Sequence, residues 1–341
     1  MVRALNTARS TTKLCLLLIA ISTLVSGPFG FLVSVDPVSG FFRGAFTGAA
    51  IATPIVLFEV LYLRGSYGRP LRESPLWVLS VVRTAWYAIA ILVGEVLTRL
   101  AFFEPLAFDA ALLRTFLFSV AISLTLNFVL VINQLLGQNV LFNLLIGHYH
   151  RPREENRIFL FVDMIGSTAI AEQLGSARFI SLLNQCIFDI TTPILRHGGE
   201  IYRYVGDEVI VTWKTADAEA NARALACARE ISETIAAARP GVKSEYEVNL
   251  GFRMALHAGP VITGEIGDYK REITFVGDTM NTTARIEQMT KAYKEEILAS
   301  GDYLNSAAIA ADPEIVALGD VVLQGKNKPV SLFAVRGAAS D

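Results

Sequence analysis

Two aspartates stand where strand-like apolar runs stop. In IFLFVDMIGST, Ile158 to Val162 deliver Asp163, and a turn at Ile165, Gly166, Ser167 and Thr168 leads into a helical pattern. In EIYRYVGDEVIVTW, two β-rich segments, Ile201 to Val205 and Val209 to Trp213, flank Gly206 and Asp207, the pattern of a hairpin with a carboxylate at its tip. Backbone N–H groups at a helix start bind anions, and a carboxylate beside them can hold a cation that also touches phosphate. If the hairpin lies beside the first strand, Asp163 and Asp207 converge. Two converging carboxylates can hold two divalent cations, which activate an attacking oxygen and stabilise a leaving phosphate. Taken singly, each aspartate has a plainer reading, as a residue that ends a buried strand or satisfies its own turn.

A third segment, GFRMALHAGPVITGEIGDYKREITFVGDTMNTTARIEQM, adds a strand that reaches His257, Gly259 and Pro260, a strand around Ile273 to Val276, and a helix. Asn281 and Arg285 lie four residues apart on that helix and so share a face. An amide and a guanidinium so placed can orient a ribose and clamp a phosphate in its transition state.

In this order and spacing the three segments resemble the catalytic domain of class III adenylate and guanylate cyclases, over about Arg157 to Arg336. The resemblance implies that Asp163 and Asp207, with the backbone carbonyl of Met164, bind two Mg2+ or Mn2+ ions per site. It makes Asn281 and Arg285 the transition-state pair and Lys326, in LQGKNKPVSLF, the triphosphate ligand, with Lys328 as substitute. The turn residues Ile165, Gly166, Ser167 and Thr168 join the substrate-binding set. The base-recognition positions fall on Arg203 and Thr274, where adenylate cyclases usually carry Lys and, in a subgroup, Thr. Guanylate specificity usually needs Glu at the first of these, so ATP is the expected substrate and cyclic AMP the product, with GTP as the alternative. His257 matches a strand position and reads as structural. In the family the metal aspartates and the Asn/Arg helix of one site come from different chains, which implies a homodimer with composite sites. A diguanylate cyclase needs a contiguous GG(D/E)EF, and Gly198-Gly199-Glu200-Ile201 fails it. A membrane receptor with a degenerate cyclase-like module is the non-enzyme alternative, opposed by the intact Asp163, Asp207, Asn281 and Arg285.

The chain that must position these groups has 341 residues, enough for two units. A mean hydropathy of +0.45 is too high for an ordinary soluble protein of this size. The excess lies in four apolar runs, roughly Leu14 to Ser34, Ala45 to Leu63, Leu76 to Leu97 and Leu112 to Leu136, each near the ~20 residues that cross a bilayer. The first run has the alternative reading of a cleaved signal peptide, against which the stretch stays apolar through Val35 without a clear cleavage site. Arg3, Arg9, Lys13, then Arg64, Arg69, Arg72, then Arg151, Arg153, Arg157 mark one side, so a multi-pass protein of the cell (inner) membrane with both termini and the catalytic domain cytoplasmic is expected.

The expected fold is thus a four-helix transmembrane bundle (1–136), a juxtamembrane amphipathic connector helix (137–156, broken near Gly147 or before Pro152), and an α+β catalytic domain (157–337) with a central, mostly antiparallel sheet. Glu59, Arg83, Glu95 and Arg114 fall within apolar runs, where an unpaired charge costs a few kcal/mol. Two interhelical pairs are expected, Glu59 with Arg83 and Glu95 with Arg114; snorkelling and an unknown ligand of the membrane domain are the alternatives. His148, Tyr149, His150 and Arg151 suit a headgroup zone better than a metal. Cys15, Cys186 and Cys227 lack ligand spacing and read as inert thiols. A net charge of -2 with no basic stripe gives no sign of a nucleic-acid partner.

Overall fold

The computed structural model describes residues 2–63, 66–72, 74–103 and 105, isolated positions between 113 and 143, and 147–336 apart from 217, 270, 310, 311 and 327. Contacts along the chain divide it into two compact units, 1–135 and 136–341.

The first unit is helical. Helix α1 spans Val2–Val33, α2 spans Pro37–Leu57 and continues as a π-helical turn Phe58–Leu63, and α3 spans Leu76–Ala101. Cys15–Val33, Pro37–Leu63 and Leu76–Ala101 are each long and apolar enough to cross a membrane. The fourth expected run, Leu112 to Leu136, lies largely outside the described residues, as does Arg114. Helices α1 and α2 approach so closely that a Cβ on Gly44 would sit 2.3 Å from the Ser26 carbonyl oxygen, and one on Gly30 would sit 2.1 Å from that of Gly40. Small residues at such crossings let apolar helices pack by backbone contact. Ser22 Oγ donates to the Gly48 carbonyl at 3.2 Å across the same seam.

The pair Glu59–Arg83 forms: Arg83 Nε lies 2.9 Å from Glu59 Oε1 and Nη2 donates to Oε2 at 3.1 Å. Tyr87 on α3, one turn beyond Arg83, adds an O–H···Oε1 bond at 2.6 Å. Glu59 lies in the π-helical turn, a distortion that re-aims side chains where it occurs.

The second unit is α+β. Its elements run β1 (Arg153–Met164), α4 (Ser167–Leu174), α5 (Ser176–Arg196), β2 (Glu200–Val205), β3 (Glu208–Lys214), α6 (Ala218–Tyr246), β4 (Phe252–Ile266), β5 (Glu272–Val276), α7 (Asp278–Tyr293), β6 (Ile297–Ser300), α8 (Gly301–Ala307), β7 (Ile315–Val321) and β8 (Val330–Val335). The sheet order is β2-β3-β1-β4-β6-β8-β7, with β5 paired to β4, and only β4–β6 is parallel. The apolar run of β1 is continuous because both sheet faces are covered. Ile158, Leu160 and Val162 pack with residues of α5 and α6, including Leu182, Ile190, Leu225 and Ile231. Phe159 and Phe161 face the other way, against Met280 and Ala284 of α7.

Strand β1 starts at Arg153 rather than Ile158, held by antiparallel pairing with β4 from Arg153↔Thr263 onward. The connector helix expected through Asn156 is therefore corrected at its end: 153–156 are strand, and the backbone turns at Gly147 (φ +64). Most of 137–146 lies outside the described residues. Where the chain enters the sheet, Arg157 is buried with all three guanidinium nitrogens bonded, Nε to Glu155 at 2.9 Å, Nη1 to Glu200 at 3.0 Å and Nη2 to Tyr149 Oη at 3.2 Å. The Tyr149 carbonyl accepts from Glu265 N at 3.0 Å, so Tyr149, expected in a headgroup zone, is instead buried against the catalytic sheet.

Candidate active site

Asp163 is the penultimate residue of β1 and faces Arg253 across the β1–β4 ladder. The β2–β3 hairpin closes on the pair Val205↔Glu208, and Gly206 (φ +65) takes a backbone conformation that glycine adopts without strain. Pairing of Val162 with Val209 then brings the tip residue Asp207 to Asp163. The carboxyl of Asp163 is raised above its usual range: burial pushes it up, the bonds from Arg253 oppose that, and the charge of Asp207 and a hydrogen bond with it add to the rise. Two partly desolvated carboxylates this close favour a bound cation.

Arg253 meets that demand in part. Its Nε and Nη2 both donate to Asp163 Oδ2, at 2.9 and 2.6 Å, and Nε also contacts Glu287 of α7. Burial, followed by the charges of Asp163, Glu287 and Asp207, pushes Glu208 up to about 7. Arg253, Glu208 and Glu287 are thus site residues that the sequence did not disclose; only the cross-strand register and the packing of α7 bring them to Asp163.

Among the described residues no group of three or more His, Cys, Asp and Glu side chains gathers as a metal site. Two carboxylates still fit a hard divalent cation of the Mg2+ type, which takes one or two carboxylates and fills its remaining positions with water and substrate phosphates. Met164, whose carbonyl was expected as a further ligand, follows Asp163 and pairs with Phe252, its side chain fully buried.

The turn after β1 supplies anion-binding groups. Gly166 (φ +70) precedes α4, no side chain caps that helix, and Ser167 and Thr168 lie in its first turn. The first N–H groups of a helix have no intrahelical acceptor, which leaves those at Gly166, Ser167 and Thr168 for a ligand. The N–H of Ile165 is already used, donating to Gly251 O at 2.9 Å. A cavity of about 460 Å3 opens beside this turn, with Arg239, Arg253, Lys291 and Lys294 in its wall.

A second constellation forms at the start of α7. Lys326 Nζ lies 2.9 Å from Asp278 Oδ2. Lys326, then Arg285 and His257, hold the Asp278 carboxyl below its usual range. Asn281 is exposed one turn on, and Arg285 packs against Gly325, where a Cβ would sit 3.4 Å from Nη2. Arg285 Nη1 is buried and has no hydrogen-bond partner among the described residues. A buried guanidinium N–H left unsatisfied by the fold points to an external acceptor. Lys328 is exposed.

A third group lies on β2 and β5. Arg203 Nη2 donates to Glu272, and Tyr202 Oη shares a 3.2 Å hydrogen bond with Thr274 Oγ1. Among the described residues no hydrogen bond or ion pair joins Asp163 or Asp207 to Asn281, Arg285 or Lys326. His257 is structural: it is buried, its Nδ1 bonds Ser300 Oγ at 2.7 Å, and burial brings its pKa down to about 4.

Known proteins resemble this chain in sequence and in fold. Residues 150–336 match the family described as the adenylate and guanylate cyclase catalytic domain. The chain is 32% identical over 299 residues to Adenylate cyclase 2 of Rhizobium meliloti (strain 1021), covering 86% of this chain and 82% of that protein. That likeness is longer than the catalytic domain and so extends into the helical region. In fold, the chain is similar to the adenylyl cyclase CyaB from P. aeruginosa (TM-score 0.50, 21% identity, 56% of this chain and 98% of that one). A bacterial light-regulated adenylyl cyclase gives a TM-score of 0.54 at 20% identity over 67% of each chain. The mostly antiparallel α+β sheet of residues 153–335 is the fold of a nucleotide-cyclase catalytic domain. The chain belongs to the class III adenylate and guanylate cyclase family.

Proposed function

We propose that the protein is a membrane-bound adenylate cyclase that converts ATP to 3′,5′-cyclic AMP and pyrophosphate and works as a homodimer. The observation that carries this reading is the meeting of Asp163 and Asp207 at the sheet edge, beside helix-start N–H groups able to take phosphate. The ribose 3′ oxygen attacks the α-phosphate in line and pyrophosphate leaves.

Asp163 and Asp207, with the Met164 carbonyl, would hold two Mg2+ or Mn2+ ions. When bound, these supply activation of the attacking hydroxyl and neutralisation of phosphate charge. The amides of Gly166, Ser167 and Thr168 cradle the triphosphate, and Lys326, exchanging Asp278 for phosphate, binds its far end. Asn281 orients the ribose. Arg285 turns its unpartnered Nη1 to the charge that develops at the α-phosphate, where a preorganised donor acts most strongly. Arg203 and Thr274 face the base.

The separation of the aspartates from the Asn281–Arg285 group within one chain supports composite sites built across a two-fold axis. So does the exposed apolar surface on the β2–β3 hairpin and the β4–β5 arm, where Tyr204, Val205, Ile262, Ile266 and Val276 lie open. The three apolar helices support an inner-membrane location, and with the fourth run at Leu112 to Leu136 the even number of crossings and the loop charges put both termini and the catalytic unit on the cytoplasmic side. A division into a membrane part (1–136), a connector and a catalytic part through 337 goes with this, the connector linking membrane and catalyst and ending where β1 begins at Arg153, and the membrane half leaves room for a ligand of its own.

The test is cyclic nucleotide formation by the full-length protein in nanodiscs, from ATP and from GTP with Mn2+, beside Asp207→Ala. Cyclic AMP from the wild type, reduced at least about 1,000-fold in the variant, is the expected result. Cyclic GMP in its place would reassign Arg203 and Thr274 to guanine. No product from a folded dimer would leave the receptor reading.

A further inference from the structure

We propose that Asp278 is a positioning residue of the nucleotide site: it holds the Lys326 ammonium beside the Asn281–Arg285 stripe of α7, and by competing with phosphate for that ammonium it sets how loosely the triphosphate end and the leaving pyrophosphate are bound. The inference rests on the cyclase reading above and deepens it.

Helix α7 opens at Asp278. Asp278, Asn281 and Arg285 follow one another at intervals of three and four residues, so they lie along one stripe of the helix. The segment between β7 and β8 runs beside that stripe. Leu323 is buried in one cluster with Ile286 of α7, the Lys326 N–H donates to the Leu323 carbonyl at 2.9 Å, and Gly325 (φ +71) sits against Arg285. This tight turn leaves Lys326 to reach the first turn of the helix, where its Nζ lies 2.9 Å from Asp278 Oδ2. The two partners differ in exposure: the Lys326 side chain is 18% exposed and that of Asp278 68%. The lysine is thus the enclosed, fixed member of the pair, and the carboxylate is the member that an incoming anion can replace.

The carboxyl stays ionised, because Lys326 and after it Arg285 hold it below its usual range and the N–H groups of a helix start favour negative charge. A charge-assisted contact of this kind orients the ammonium and takes it out of water before a ligand meets it. Arg285 is not tied in the same way: its Nη1 has no partner among the described residues, so the hold of Asp278 falls on Lys326. A polyphosphate that takes the ammonium over must break the 2.9 Å contact, and it then lies beside the displaced carboxylate, whose like charge repels it. The penalty grows with the charge of the anion. Cleavage raises that charge, since the oxygen that joined the β-phosphate to the α-phosphate becomes a free, ionisable one on pyrophosphate. Asp278 therefore acts against the product more than against the substrate and favours its departure.

The test uses the full-length protein in nanodiscs with Mg2+ and measures the Kd of pyrophosphate by titration calorimetry, beside KM and kcat for ATP. Asp278→Asn keeps the shape and loses the charge. It is expected to tighten pyrophosphate by about tenfold and to lower the KM for ATP by about threefold, with kcat no higher than in the wild type because the product leaves more slowly. Asp278→Glu keeps the carboxylate and should stay within about twofold of wild type in both constants. A Kd or KM that is unchanged or raised in Asp278→Asn is what the loss of a merely structural contact would give, and it overturns the proposal alone. So does a higher kcat, or an Asp278→Glu that tightens pyrophosphate as much as Asp278→Asn. If Asp278→Asn does not fold, Asp278→Ser, a residue at home at helix starts, is read in its place by the same criteria. A wild type that forms no cyclic nucleotide overturns the cyclase reading and this proposal with it.

Discussion

Arg157 and Arg285 both draw guanidinium nitrogens out of solvent, and their surroundings answer the charge in opposite ways. Every nitrogen of Arg157 is bonded within the fold, whereas Arg285 keeps a buried Nη1 without a partner among the described residues. The first arrangement holds a structure together; the second costs stability until an anion arrives, as expected of a group kept for a ligand. His257 belongs with the first kind and gives a pH test. Its pKa drops from 6.5 to about 4 on folding because it is buried. Between those values the unfolded chain takes up a proton that the fold refuses. The His257 contribution is therefore complete above about pH 6.5 and is lost as pH falls toward 4, an effect on the order of 3 kcal/mol. Thermal unfolding of full-length protein across this range should show His257→Asn, which retains an atom able to bond Ser300, with a shallower acid slope than wild type. The place of Asn281 and Arg285 on one helix was legible in the sequence because a four-residue helical spacing is a local signal. Arg253, which bonds Asp163 twice, was not: the two are 90 residues apart and meet only through the register of β1 against β4.

Among elements, the strand–turn–helix at Asp163 and the β2–β3 hairpin could be read from apolar runs stopped by Gly and Asp. The bulge at Tyr202, where the register of β2 against β3 shifts, could not, since nothing in EIYRYV marks which residue is extra. The seam between α1 and α2 has a sequence trace, Gly40, Gly44 and Gly48 at four-residue intervals, a spacing to which mean hydropathy is blind. The pairing of one set of charges within the apolar runs was legible by counting residues from each helix end. Glu59 with Arg83 forms as expected, and Tyr87, a helical turn further, completes it. Reversing one partner, Glu59→Arg or Arg83→Glu, places two like charges together and should reduce the folded protein recovered in detergent, a loss of a few kcal/mol. The double reversal should recover much of it, because Tyr87 can accept as well as donate. Equal damage from single and double reversals would mean that the pair does not fix the packing.

On the scale of the whole molecule, the catalytic unit carries each proposed catalytic side chain once, and among the described residues no hydrogen bond or ion pair joins the aspartates to Asn281, Arg285 or Lys326. This has a genetic consequence. Asp207→Ala and Arg285→Ala should each be inactive alone, yet co-expressed in equal amounts they should regain about one quarter of wild-type activity, since half of the dimers then hold one intact site of two. Recovery absent from a mixture shown to contain heterodimers would place a complete site within one chain. The arrangement at Tyr149 bears on what lies upstream. The tyrosine is held through its hydroxyl by Arg157 and Glu155 and through its carbonyl by Glu265, two residues past the turn at Gly147. The catalytic unit thus receives its incoming chain at a socket of its own making, so that different front ends joined ahead of Gly147 would all mount at the same point. In evolutionary terms this makes the catalyst portable: the front end can be exchanged for another without redesigning the sheet behind the socket.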